Sequence, residues 1–256
     1  MFYTPCMLDV RSEGSILRIT LARPEVRNAF NDELIARLTD TLRGVGNETR
    51  LVVLSGEGKA FCAGGDLEWM RRASSYSREE NVADALKLAG LFESVASCNA
   101  PVLARVHGAC FGGGCGLVAA SDLTIADPAT LFAFSEVRLG LIAGTISSHV
   151  IPKIGKGHAR ALYATGEAFE ASRALLIGLI HQVGDLNELE AKIIKQVLSV
   201  SPNAVRESRK IVRDFPLSVD ECANRLADIR SSDEGREGVA AFLEKRKASF
   251  VEDYES

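Results

Sequence analysis

Four times along this chain an apolar, β-branched run ends in a glycine or turn cluster and leads into a helical pattern or a second extended run. These are SILRITLARP (15–24), RLVVLSGEG (50–58), PVLARVHG (101–108) and DLTIADPAT (122–130). Such runs suit strands, and the turn residues that close them set where each strand stops. The segment NDELIARLTDTLRGVG (31–46) predicts a helix, with Asn31 as cap, Asp32 and Glu33 at its positive end, and a Leu34, Leu38, Leu42 stripe that stops at Gly44. REENVADALKLAGLFESVAS (78–97) predicts a second helix, with Val82, Ala85, Ala89 and Phe92 on one side. Alternation of this kind predicts an α/β fold with binding loops at strand ends. The repeat is one of architecture, since the four runs are not alike in sequence.

From about residue 157 the pattern is almost wholly helical, through GHARALYATG, ASRALLIGLIHQVG, NELEAKIIKQVLSV, PNAVRESRKIVRDF and SVDECANRLADIRSSDEGREGVAAFLEKRK. Ser201-Pro202 is the clearest internal punctuation. The reading is therefore an α/β core over 1–198 and a terminal helical segment over 199–256. Helices at the end of a chain commonly pack on a neighbouring subunit, so a homo-oligomer is expected.

Composition narrows the function classes. With 256 residues, 46% hydrophobic and 25% charged, the chain is of ordinary globular make-up. A net charge of −4 and a pI near 5.7 argue against a nucleic-acid partner. Cys6, Cys62, Cys98, Cys110, Cys115 and Cys222 form no CxxC pair and have no His-rich companion, which speaks against a disulfide framework or a metal site and for buried thiols in a reducing compartment. MFYTPCMLDVRSEG lacks the pattern of a secretory leader, and no apolar run is long enough to span a bilayer. The expectation is a cytoplasmic protein with no membrane partner.

Two glycine-bearing turns, GEGKAFCAGGDLEWM (56–70) and GACFGGGCGL (108–117), each follow a strand. Consecutive glycines leave N–H groups uncovered, and at a helix start those groups lack intrahelical partners, so they can hold negative charge. Neither turn is a GxGxxG or GxxxxGK[ST] nucleotide motif. One glycine-rich turn is often only a tight turn; two in successive units can supply the converging donors that an oxyanion needs. The third element is LFAFSEVRLGLIAG (131–144), in which Glu136 is the sole carboxylate of a mostly apolar run. Apolar surroundings raise a carboxyl pKa and suit it to proton transfer near neutral pH; the plainer alternative is an ion pair with Arg138 or an exposed position. His107 and His149 read as structural histidines. Ser147-Ser148-His149 invites a hydrolase reading, but there is no GxSxG elbow.

Taken together, AFCAGGDL, GGGCGLVAASD, FSEVRLGLI and the tail EGVAAFLEKRKASF resemble the enoyl-CoA hydratase/isomerase (crotonase) family over essentially the whole chain. The resemblance implies a spiral of ββα units with a C-terminal helical trimerisation segment, trimers or paired trimers, an acyl-CoA substrate, and no cofactor beyond the coenzyme A of that substrate. By the family pattern, the amides of Ala63 and Gly113 form the oxyanion hole, Glu136 is the second family glutamate, and Gly116 stands where many hydratases carry the first. Contacts to coenzyme A are implied near Arg23 to Val26 and across Ala60, Ala63, Gly64, Asp66, Leu67 and Trp69, with Phe242 and Lys245 of the last helix near the adenine or phosphates. One carboxylate suits double-bond isomerisation, and a Δ3,Δ2-enoyl-CoA isomerase is the alternative reading; an acyl-CoA hydrolase ranks below it. GGDLEWMRR followed by EENVADALKLAGLF, together with FSEVRLGL, resembles the branch that hydrates 3-methylglutaconyl-CoA and related branched thioesters, a setting of leucine and fatty-acid breakdown. The first reading is thus a hydratase that uses Glu136 alone, with Arg71 or Arg72 as candidates to meet a distal carboxylate. Ala143 at a usual proline position, and Ser148-His149 in place of a proline–aromatic pair, depart from that branch along a pocket wall.

Overall fold

The computed structural model describes residues 7–254, so Cys6 and the start of the N-terminal segment lie outside the described residues. The chain divides between Leu189 and Glu190 into two compact units.

In the first unit, β1 (Leu8–Glu13) and β2 (Ile16–Leu21) form an antiparallel hairpin ahead of α1 (Asp32–Arg43). Three strand pairs follow: β3 (Leu51–Gly56) with β4 (Ala60–Cys62), β5 (Val102–Val106) with β6 (Ala109–Phe111), and β7 (Leu123–Ala126) with β8 (Leu131–Ala133). Helices α2 (Leu67–Ala73) and α3 (Arg78–Ala96) follow the first pair, and α4 (Gly113–Ala120) the second. After the third come a 3₁₀ turn at Glu136–Leu139 and α5 (Ser147–Thr165), then β9 (Ala168–Glu170), α6 (Ala171–Leu176) and β10 (Gln182–Val183). The first strand of each pair enters a six-stranded sheet of order β1-β2-β3-β5-β7-β10, and the second enters a four-stranded sheet of order β4-β6-β8-β9. The turns that follow β4, β6 and β8 thereby lie at the same end of the small sheet, where these three strands run parallel.

The four strand runs read from sequence are β2, β3, β5 and β7, consecutive parallel neighbours in the large sheet. Their β-branched and leucine side chains are almost wholly buried because helices cover the sheet. Helix α1 begins where predicted, with the Asn31 side chain accepting from the Leu34 amide at 2.9 Å, and Leu34, Leu38 and Leu42 are buried. Each such side chain contributes about 1.5–3 kcal/mol of transfer free energy. Helix α3 corrects one expectation: Val82 and Ala85 are exposed, and the buried face lies toward its end at Leu91, Phe92 and Val95. Helix α5 starts ten residues ahead of the predicted segment at 157, carries Pro152 inside it and kinks at Gly155.

The second unit is helical. Helix α7 (Leu186–Leu198) leads into it, followed by α8 (Pro202–Asp214), α9 (Val219–Ser231) and α10 (Asp233–Glu244). Ser201 caps α8 through the Ala204 amide at 3.0 Å, and Glu234 ties the Asn203 amide at 2.8 Å, so Ser201-Pro202 is a helix start. Among the described residues no helix is long and apolar enough to cross a membrane. Cys62, Cys98, Cys110 and Cys115 are buried thiols, and Cys222 is exposed.

Candidate active site

The first glycine turn is held by the loop that precedes α1. Arg23 donates to Asp66 Oδ2 at 2.8 Å and to the Ala29 carbonyl at 2.5 Å, while the Asn28 side chain donates to the carbonyls of Glu57 and Ala60 at 2.9 and 2.8 Å. The other Asp66 oxygen caps α2, accepting from Glu68 N at 2.8 Å and Trp69 N at 3.4 Å. Burial alone would raise the Asp66 pKa; Arg23 and the two amides outweigh it and hold the carboxyl below its usual range. Backbone bonds complete the seam: Ala63 N donates to Arg27 O at 3.0 Å, Phe30 N to Gly64 O at 2.7 Å, and Asp66 N to Phe30 O at 2.8 Å.

This seam decides which amide can serve a ligand. The Ala63 amide, expected as an oxyanion donor, is already engaged by Arg27. In the parallel bridge between Phe30 and Gly65, the partners of Phe30 are the Gly64 carbonyl and the Asp66 amide, so the Gly65 N–H points to the opposite side. The Gly65 amide has no acceptor among the described residues. The unengaged amide of this turn is therefore two positions beyond the one the motif suggested, next to Gly64 at φ +94°.

The second turn works by close approach. Gly112, at φ +51°, donates its N–H to the Ala133 carbonyl at 2.9 Å, and α4 opens with Gly113, whose N–H lacks an intrahelical partner. A Cβ on Gly113 would lie 2.6 Å from the Phe30 ring, and one on Gly114 2.6 Å from the Cys62 carbonyl oxygen. The two turns touch where they bend: a Cβ built on Gly112 would stand 3.8 Å from Gly64 Cα. Phe30 is common to both, paired with Gly65 through its backbone and packed on Gly113 through its ring. The free amides of Gly65 and Gly113 thus flank one junction.

Glu136 reaches that junction from the 3₁₀ turn after β8. Its Oε1 lies 3.4 Å from the Cβ position of Gly112, and its Oε2 is buried without a hydrogen-bond partner. Burial raises its pKa, against the opposing effect of its own backbone N–H. No ion pair with Arg138 forms within salt-bridge range. Tyr163 lies nearby on α5, its hydroxyl 3.1 Å from Ser147 Oγ and its ring 5.2 Å from that of Phe134. Ser147 Oγ donates to the Ala143 carbonyl at 2.5 Å, so it is not directed at His149 and the serine hydrolase arrangement is absent.

The space beside Gly116, where the resemblance put a first glutamate, is filled. A Cβ on Gly116 would meet Ile146 Cγ2 at 2.5 Å and the Phe92 ring at 2.7 Å, and both side chains are buried. Of the remaining candidates, Ala60 is buried in β4, Val26 ends the 3₁₀ turn Pro24–Val26, and Leu67 is exposed. Trp69 is buried against Gly65 and donates Nε1 to Asp84 at 3.3 Å. Arg71 and Arg72 are exposed and paired, with Glu68 and Asp32 respectively, each at 2.6 Å, so neither is presented as an unpaired cation. In the second unit, Phe242 is exposed on α10 and Lys245 caps that helix in the left-handed conformation. No group of three or more His, Cys, Asp or Glu side chains suited to a metal ion occurs among the described residues. Sequence reasoning missed Gly65, Phe30, Ile146 and Tyr163 as members of the site; the Gly-Gly pair before Asp66 was the only available signal for the first.

The profile of the family described as Enoyl-CoA hydratase/isomerase matches residues 11–253. A crotonyl-CoA hydratase of Syntrophomonas wolfei is 31% identical, over 98% of this chain and 99% of its own length. A short-chain-enoyl-CoA hydratase of Clostridium acetobutylicum is 28% identical, over 93% and 95%. The crystal structure of an enoyl-CoA hydratase from Shewanella pealeana superposes with a TM-score of 0.92 at 34% identity, covering 96% of both chains.

Proposed function

The chain belongs to the enoyl-CoA hydratase/isomerase family, and from that premise we propose that it adds water across the double bond of an enoyl-CoA thioester, or removes it, with Glu136 as its only acid–base group. The crotonase-type fold and chemistry of the enoyl-CoA hydratase class, a carbon–oxygen lyase, are common ground with its relatives. The observation that carries the one-acid reading is the convergence of the Glu136 carboxyl with the free amides of Gly65 and Gly113 on one junction.

On this reading the thioester oxygen accepts from Gly65 and Gly113, which stabilise the enolate formed when the α-carbon is activated. The Glu136 carboxylate takes a proton from water as the water oxygen bonds to the β-carbon. The resulting carboxylic acid then delivers that proton to the α-carbon as the enolate collapses, so one water is added and Glu136 returns to its starting state. Its raised pKa suits a group that must hold the proton between the two steps. Since the first step needs the carboxylate, kcat/KM should fall as pH drops through that raised value.

The proposed substrate is a branched or glutaconyl-type thioester. The surface pairs of Arg71 and Arg72 remove them as ready partners for a distal carboxylate, so such a group must be met by other donors. Coenzyme A is proposed to lie along the first turn, from Arg23 and Val26 to Ala60, Ala63, Gly64, Asp66, Leu67 and Trp69. No further cofactor is needed, and the 199–256 segment is proposed to assemble a cytoplasmic trimer or dimer of trimers.

One observation favours a second reading. Phe92 and Ile146 occupy the place of a second acid, and a site with one carboxylate can shift a double bond by moving one proton from the α- to the γ-carbon. Mass spectrometry in heavy water separates the two with 3-methylglutaconyl-CoA, crotonyl-CoA and a 3-enoyl-CoA as substrates. A water adduct supports the hydratase; deuterium uptake with a shifted double bond and no added water makes the protein an isomerase.

A further inference from the structure

Helix α4 carries the proposed oxyanion donor at one end and is met at the other by a half-buried lysine of α5. Lys153, from α5, donates Nζ to the carbonyls of Val118 at 3.1 Å, Ala119 at 3.4 Å and Ser121 at 2.9 Å. These oxygens close the C-terminal end of α4, where carbonyls lack intrahelical partners and the helix dipole is negative. The opposite end has no side-chain cap, because Gly112 stands there. All of Gly114–Ala120 is buried. Over eight residues at 1.5 Å each, Gly113 and the ammonium lie about 10 Å apart along the axis.

We propose that Lys153 is a positioning residue for the oxyanion pair: its ammonium group, seated on the C-terminal carbonyls of α4, fixes that helix so that the Gly113 amide stays aimed at the thioester oxygen. The inference rests on the reading of Gly113 as a donor and adds to it the group that holds the donor in place. Catalysis by such a hole depends on donors fixed before reaction, so a helix free to slide or tilt loses rate without losing substrate.

The charged neighbours of Lys153 are few. Asp122, whose carboxylate accepts from Val102 N at 2.8 Å, favours the ammonium. His181, which accepts from Thr124 N at 2.9 Å, and His149, one turn earlier on α5, are both held below the ordinary histidine value by burial, and Lys153's charge adds to this. Glu93 on α3 faces His149. Both histidines are therefore neutral where Lys153 titrates, which burial brings down to about 8. Raising pH through that value removes one donor and the charge. The stability effect has the opposite sign: between about 8 and 10.5 the unfolded chain holds more protons, so stability rises with pH there. A loss of activity over this range is then not unfolding driven by Lys153.

The test uses butyryl-CoA labelled with carbon-13 at the thioester carbonyl, whose infrared band shifts down when donors polarise it. It is bound to the full chain and to Lys153→Met and Lys153→Arg at pH 7 and 9.5, with kcat and melting temperature measured alongside. The expected result is a downshift in the native protein that shrinks at pH 9.5, persists at both pH values in Lys153→Arg and is small at both in Lys153→Met. Turnover in Lys153→Met should fall about tenfold with KM little changed, less than the 10²–10³ that deletion of a donor costs. An equal downshift in native protein and Lys153→Met overturns the proposal and leaves the hole standing. No downshift in the native protein overturns the hole, and the proposal with it. If Lys153→Met fails to fold, Lys153→Gln takes its place, and a downshift in it equal to that of the native protein overturns the proposal.

Discussion

The two glycine turns look alike in sequence and differ in what their glycines do. In the first, Gly64 adopts φ +94° so that Gly65 can turn its amide away from Phe30; there glycine is a matter of backbone conformation. In the second, Gly112 also takes a positive φ, but Gly113, Gly114 and Gly116 have ordinary helical backbones, and their missing Cβ atoms are what admit Phe30, Cys62, Phe92 and Ile146. The first turn frees a donor by bending, the second brings a helix end close enough to face it. A string of glycines is therefore not one signal, and substitutions should separate the two kinds.

The largest effect is expected at Gly116. Replacement by glutamate drives side-chain atoms into the buried Phe92 ring and Ile146 and leaves a carboxylate without a partner. The cost is about 3–5 kcal/mol, read by urea denaturation, with no gain in crotonyl-CoA hydration. Next, Gly113→Ala overlaps the Phe30 ring and should cost about 1–3 kcal/mol by overpacking. Phe30→Leu should recover part of that loss, so a double-mutant cycle gives a favourable coupling; additivity would break the close-approach account of the second turn. Gly64→Ala, strained by its left-handed backbone, should cost about 1–2 kcal/mol with no single partner able to rescue it. A rescue by trimming a neighbour would erase the distinction between the turns. The smallest effect concerns the seam: Asp66→Asn weakens the pair with Arg23, and its stabilisation has a defined pH window. Because the native Asp66 pKa is lowered, its contribution is present above the unfolded value and lost as pH falls through the native one. Native protein and Asp66→Asn should thus converge in stability in acid and separate toward neutral pH.

Much of the fold was legible because its signals are local. The strands of the large sheet are long enough to show as β-branched runs, and α1 shows its cap and leucine stripe within its own residues. The three-residue strands of the small sheet left no such trace, since a segment as short as Ala60–Cys62 has no periodicity to read. Glu136 stood out as a lone carboxylate in an apolar run. The donor in the first turn did not: only the pairing of Phe30 with Gly65, which is 35 residues away in sequence, shows that Ala63 is occupied and Gly65 is free. Likewise, the absence of an acid at Gly116 was visible, but that Phe92 and Ile146 fill its place depends on α3 and α5 meeting over α4.

The central claim is that both turns serve a single carboxyl, Glu136, which moves the proton. The measurement that tests it most directly compares Glu136→Gln with the native protein in turnover of an enoyl-CoA and in the Kd for the same thioester. Loss of a sole acid–base group predicts a fall in kcat of at least about 10²–10⁴ with affinity nearly intact. Turnover that survives the substitution, or affinity lost in equal measure, would contradict the account.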